Sequence, residues 1–141
     1  MKKSLMKKVN YFDDKYFLYF EESDYYKRCM DINLPIYIHN KVIIKHEGGA
    51  AIEKELRGEY QKIRNWHYCW SKFYYYKKHY GYLTGLSKTI PNLIRATKSV
   101  IRGIFTLNFE KILTHYVEIE GLFCSYFNIK SFYRIKNKKL L

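Results

Sequence analysis

The sequence predicts a small mixed α/β piece followed by helices, with helix predominating. Three observations carry that expectation. Residues 36–46, from Ile36 to His46, alternate and are rich in β-branched side chains, the pattern of one or two short strands. From Glu53 the period changes: Leu56, Tyr60, Ile63, His67, Trp70 and Tyr74 recur at spacings of four and three, the seam of a long amphipathic helix. Of the 141 residues, 48% are hydrophobic and 19% aromatic, enough to build a core and too much to leave in water.

Taken in order, Ser4 to Asn10 reads as a short helix or turn and Tyr11 to Asp14 as a loop. The aromatic run Phe17, Leu18, Tyr19, Phe20 fits a strand or a buried turn. Glu21 to Asp31 has helical character, with Tyr25, Cys29 and Ile32 on one side and acids at its start, where the helix dipole favours them. Pro35 disfavours helix at the residue before it, so Asn33 to Pro35 should end the helix. Gly48 and Gly49 mark a flexible loop after the strands. The long helix from Glu53 should stop near Gly81. Ser87 or Thr89 with Pro91 can open a second helix running to about Arg102, since proline is tolerated in a first turn. Asn108 can cap a third, with Ile112, Tyr116, Ile119 and Phe123 sharing a face. A frayed tail follows from Lys136. Residues 1–52 and 53–141 are expected to pack together as one unit.

Charge is unevenly spread. Lys and Arg number 26 against 13 Asp and Glu, a formal net charge of +13. Residues 60–108 hold nine bases and no acid, whereas the acids gather in the preceding stretch. That asymmetry points to an anionic partner, either nucleic acid or an anionic membrane surface. Lysine outnumbers arginine 20 to 6, although arginine is the residue suited to bidentate reading of phosphate or guanine. With no RNP1, zinc-finger or basic-zipper pattern either, nucleic acid is not the expected partner. No stretch approaches the roughly 18 apolar residues of a spanning helix, and the basic start lacks the apolar run of a signal peptide. Cys29, Cys69 and Cys124 are odd in number and form no CxxC pair, which excludes a disulfide scaffold and a zinc knuckle. A cytoplasmic location is expected.

The acidic run Glu21, Glu22, Asp24 stands out because it follows Tyr11, Phe12, Asp13, Asp14 and Phe17 to Phe20 and precedes Lys27 and Arg28. That succession resembles the acceptor-side half of family 2 glycosyltransferases of the GT-A, rhamnosyltransferase-like type. His46 before Gly48 and Gly49 is similar to the family's histidine-glycine loop. Arg64, Asn65 and His67, then Lys77 to Gly81, resemble its Arg-Asn and Lys-His-x-Gly helix. Ile119 to Leu122 resembles its closing segment. The likeness spans nearly the whole chain and is most specific from Tyr11 to Arg28.

The resemblance implies a truncated GT-A-like piece that transfers a sugar from a nucleotide-sugar to a glycan or lipid-linked acceptor in cell-envelope polysaccharide synthesis. It implies Glu22 as the base that takes the acceptor's proton and Asp24 as the alternative base or an orienting partner. His46 is implied as a ligand to a divalent Mg or Mn ion, and Arg28 and Lys45 as neutralisers of leaving-group phosphate. The family's nucleotide-binding half, with its Asp-x-Asp, is absent from this sequence. The chain is therefore expected to be inactive alone and to need that half, supplied for instance by a partner chain. The aromatic and basic helix from Arg64 to Tyr80 has three readings: packing, contact with an anionic membrane surface as a peripheral protein on the inner face of the cell membrane, or stacking on sugar rings. From a different class comes the reading of the whole chain as a non-catalytic basic module that binds an anionic membrane or polymer.

Overall fold

A computed structural model describes residues 3–37, 40–43, 45 and 57–134. Helix predominates, and no strand occurs among the described residues. The helices are α1 (Lys3–Lys8), α2 (Glu21–Asp31), α3 (Arg57–Tyr80), α4 (Tyr82–Phe105) and α5 (Phe109–Tyr126). The three long helices pack pairwise on one another.

Gly81 alone joins α3 to α4. Its φ of 89° lies in the left-handed region, which suits a glycine where a chain reverses within one residue. Lys72 Nζ on α3 reaches Asn92 Oδ1 on α4 at 2.7 Å, and Ser125 Oγ on α5 donates to the Trp70 carbonyl on α3 at 2.9 Å. α4 thus runs antiparallel to α3, and α5 parallel to it. The core of this bundle is two adjoining clusters. One is Trp66, Trp70, Val117 and Cys124, with Tyr74 and Tyr133 against it. The other is Cys69, Phe73, Leu122 and Tyr126, with Leu86 and Leu93.

Close approach of α3 and α5 depends on one glycine. A Cβ at Gly121 would lie 2.4 Å from the Trp66 carbonyl oxygen, so only glycine allows the two backbones to meet there. This sets which face of α5 turns inward. Val117, Glu118, Leu122 and Ser125 are buried beside Gly121, whereas Tyr116 and Phe123 of the expected face are exposed.

Four helices end alike. After α1, α2, α4 and α5 the chain enters the left-handed region at Asn10, Asn33, Leu107 and Asn128. The amide of that residue and the amide after it bond back into the last turn each time, as with Leu34 N–H to the Cys29 carbonyl at 2.9 Å and Ile129 N–H to Cys124 at 2.8 Å. These are Schellman closures, and three of the four use asparagine, the non-glycine residue most at ease there. Leu34 then joins Val9, Tyr25 and Cys29 in a third small cluster that holds α1 to α2.

Two further expectations need correction. The strands predicted for 36–46 do not form among that stretch's described residues: Tyr37 and Ile43 are 85% and 91% exposed, so the alternation has no covered face to pack. α4 begins at Tyr82 rather than near Ser87 or Thr89, with Pro91 inside it. Proline removes one hydrogen bond, but Gly85 and Thr89 are buried against the bundle on one side of it and Ala96 on the other, so the helix carries through. α2 has the expected bounds, and Asn108 Oδ1 accepts from Lys111 N–H at 3.0 Å as the cap of α5.

Replacing Gly121 by alanine should force α3 and α5 apart and cost about 3 kcal/mol, the scale of an overpacked core. Urea unfolding of Gly121→Ala against Gly58→Ala, where a Cβ meets nothing within 4 Å, checks this.

Candidate functional site

The residues before α2 lie along α3. Ser71 Oγ donates to the Leu18 carbonyl at 2.8 Å, Arg64 Nε donates to the Tyr19 hydroxyl at 2.7 Å, and Phe20 packs against Tyr68 and Tyr75. Tyr19 and Phe20 both adopt positive φ, 65° and 66°. For bulky side chains each such step costs about 1–2 kcal/mol, so packing against α3 must hold the pair in place. The aromatic run is a turn rather than a strand, with Phe17 exposed and Leu18, Tyr19 and Phe20 half-buried against α3, and it delivers the chain into the acidic first turn of α2.

Within that turn the three acids fare differently. Asp24 is fully buried. Its Oδ2 accepts from Arg28 Nε at 2.9 Å, and its Oδ1 faces Lys78 Nζ at 2.6 Å and His79 Nε2 at 2.8 Å. Burial pushes the Asp24 carboxyl up, but hydrogen bonds from Lys78 and His79 and the charges of Lys78 and Arg28 outweigh it and hold the group below its ordinary value of 3.8. Glu21 is half-buried, and its Oε2 is buried with no hydrogen-bond partner among the described residues. Glu22 is exposed and makes no hydrogen bond or ion pair among the described residues.

Around Asp24 the network widens. Lys78 Nζ also reaches Asp13 Oδ2 at 2.7 Å, and the Tyr74 hydroxyl donates to the same oxygen at 2.9 Å. Burial raises the Asp13 carboxyl, and bonds from Lys78, the Lys15 amide and Tyr74 more than reverse that, so it too sits below 3.8. The Arg28 guanidinium is spent internally: besides Asp24 it donates to the carbonyls of Val9 and, at 2.7 Å, Tyr11. One buried carboxylate therefore ties α1, the loop after it, α2 and the end of α3 together.

Of the roles open to Asp24, the orienting one fits this arrangement, because both oxygens are occupied. Arg28 likewise tethers the N-terminal segment, each of its three guanidinium nitrogens holding one of these bonds. Lys45 is described and exposed, and His46 lies outside the described residues. Among the described residues no group of three or more His, Cys, Asp or Glu side chains could hold a metal ion. Lys78 and His79 were legible only as part of a family-like segment; nothing local to them marks Asp24, 54 and 55 residues earlier, as their partner.

A cleft of about 640 Å³ opens beside this node. Trp70 and Tyr74 form part of its wall, and Asp14, Lys15, Lys130 and Arg134 line it. The segment after α5 closes its far side, with Trp70 Nε1 donating to the Ile129 carbonyl at 2.8 Å and Ser131 Oγ donating to the Lys15 carbonyl at 2.9 Å. Polar and charged groups at the mouth of a cleft suit a hydroxyl-rich ligand. Nearby, His67 is fully buried, with Nε2 donating to the Tyr133 carbonyl at 2.8 Å; burial lowers its pKa from 6.5 to about 4, so it stays neutral and serves the packing.

No family model, curated protein or solved structure matches this chain. Among the described residues no helix is long and apolar enough to cross a membrane.

Because Asp13 and Asp24 titrate below 3.8 when folded, their stabilising contribution is complete above that value and is lost as pH falls below it toward their folded values. Lys78→Met should flatten this acid limb and, by leaving buried carboxylates short of a partner, cost about 3 kcal/mol at pH 7. Urea midpoints of both proteins between pH 7 and 2.5 read out both effects.

Proposed function

We propose that this chain is the acceptor-side portion of an inverting, family 2-like glycosyltransferase, with Glu22 as the base. The observation that carries the reading is the division of labour in the first turn of α2. Asp24 is wholly committed to fixing the turn, and a strained pair of residues precedes it, while Glu22 on the same turn is left exposed and unengaged. Strained, rigidly held backbone beside an unpaired acid is what a positioned base requires.

In the proposed step the Glu22 carboxylate accepts the proton of an acceptor hydroxyl. The hydroxyl oxygen bonds to the sugar's anomeric carbon as the carbon–oxygen bond to the nucleoside diphosphate breaks on the opposite face. Asp24 orients the turn, and the polar and charged groups of the cleft, Asp14, Lys15, Lys130 and Arg134, are offered to the hydroxyls of the acceptor glycan. Donor binding, and the divalent ion that such enzymes hold on the diphosphate, belong to a nucleotide-binding half outside this sequence, with His46 the one ligand this chain is proposed to add.

The test is nucleoside diphosphate release from UDP-, GDP- and dTDP-sugars by the chain combined with a family 2 nucleotide-binding half. Glu22→Gln should lower kcat at least about a hundredfold with the fold and KM little changed, the scale of a lost general base. Undiminished transfer by Glu22→Gln overturns its role. No transfer by any combination of the unaltered chain contradicts the whole reading.

A further inference from the structure

α4 buries one side and leaves another unpartnered. Gly85, Thr89, Ala96 and Gly103 turn toward the bundle. Leu83, Ile90, Ile94, Ile101 and Phe105, at spacings of seven and four, form a continuous stripe along the helix, every one of them exposed and Phe105 at 85%. The turn that follows adds Leu107 and the first residue of α5 adds Phe109, both exposed. Along one flank of the stripe runs a shallow groove of about 480 Å³ lined by Arg95, Lys98, Ser99 and Arg102 together with Ile94. Arg95 is paired with Glu118 at 2.6 Å, while Lys98 and Arg102 are exposed and meet no acid among the described residues. α4 itself contains no Asp or Glu.

We propose that this face of α4 docks onto an anionic lipid surface, with the helix lying in the plane of the membrane. The aliphatic stripe and Phe105 enter the acyl boundary, and Lys98, Arg102 and Ser99 meet lipid phosphates in the groove. Charge complementarity selects this occupant: a protein-facing apolar stripe has no need of a cationic row without acids, and a nucleic-acid site has no need of five exposed apolar side chains. At 24 residues the helix extends about 36 Å, with basic and apolar positions along its length. The proposal involves no residue of α2 and stands apart from the Glu22 reading.

Co-sedimentation of the full chain with vesicles of phosphatidylcholine, with and without phosphatidylglycerol, tests it. Binding should be at least about tenfold stronger to the anionic vesicles and weaken with salt. Ile94→Ser with Ile101→Ser should weaken it about tenfold or more, and Lys98→Gln with Arg102→Gln to a similar degree, with helicity by circular dichroism unchanged. Lys3→Gln with Lys7→Gln, the same charge change on α1, should leave binding nearly intact. Equal binding to both vesicle types, no effect of the isoleucine changes, or an equal loss from the α1 pair overturns the proposal. So does a dimer in sedimentation velocity that the isoleucine changes dissolve, which would assign the stripe to a second copy. An oligonucleotide bound through Lys98 and Arg102 but indifferent to the isoleucines would assign the row to nucleic acid and overturn the proposal as well.

Discussion

The buried carboxylate of Asp24 is the constraint on which the N-terminal third of this protein depends. α1 and α2 share only a small apolar cluster of Val9, Tyr25, Cys29 and Leu34, far too little to order such a segment unaided. What anchors them is ionic: Arg28 from within α2, and Lys78 and His79 from the last turn of α3, all converge on one side chain with no exposed surface. A buried charge without partners is costly, and with three it becomes a directional tie that loses its compensation when any one partner is removed. The same tie explains why a chain with twice as many bases as acids packs acids beside bases here.

α3 is the common scaffold. It holds the aromatic turn and α2 on one side, meets α5 backbone to backbone at Gly121, and receives the residues after α5 through Trp70 and His67. Its ring of aromatic and basic residues, open to membrane and sugar readings from sequence, is largely occupied internally: Trp66, Trp70 and Phe73 are in the core, and Lys78 is in the ionic node. The free amphipathic surface belongs to α4 instead. Helix α4 can spare that surface because small residues, Gly85, Ala96 and Gly103, make its contact with the bundle.

What was readable in the sequence follows from physical range. Periodicity of three and four, the Asn108 cap and the stop before Pro35 are local signals, and they placed α2 and the start of α5 closely, while α4 begins five or more residues before its expected start. Burial was less legible where small residues decide it. On α5 the large side chains Tyr116 and Phe123 suggested a face, but the backbone approach at Gly121 chose another. Pro91 looked like an opening signal because its missing N–H is free of cost only in a first turn; packing on both sides absorbs that cost mid-helix. Residues 36–46 had strand composition, yet their described members have no covered face, and composition alone cannot supply one. The acidic run was visible as a cluster, yet which acid is anchored and which is presented depends on residues more than fifty positions away.

Amide hydrogen exchange in the unaltered chain and in Asp24→Asn measures the central tie most directly. Asparagine keeps the shape of the side chain and removes its charge. If Asp24 anchors the N-terminal third, α2 amides should lose protection by about a hundredfold or more, while those in the middle of α3 and α5 keep theirs. Unchanged protection across α2 would contradict the account, since the segment would then be held by its apolar contacts alone.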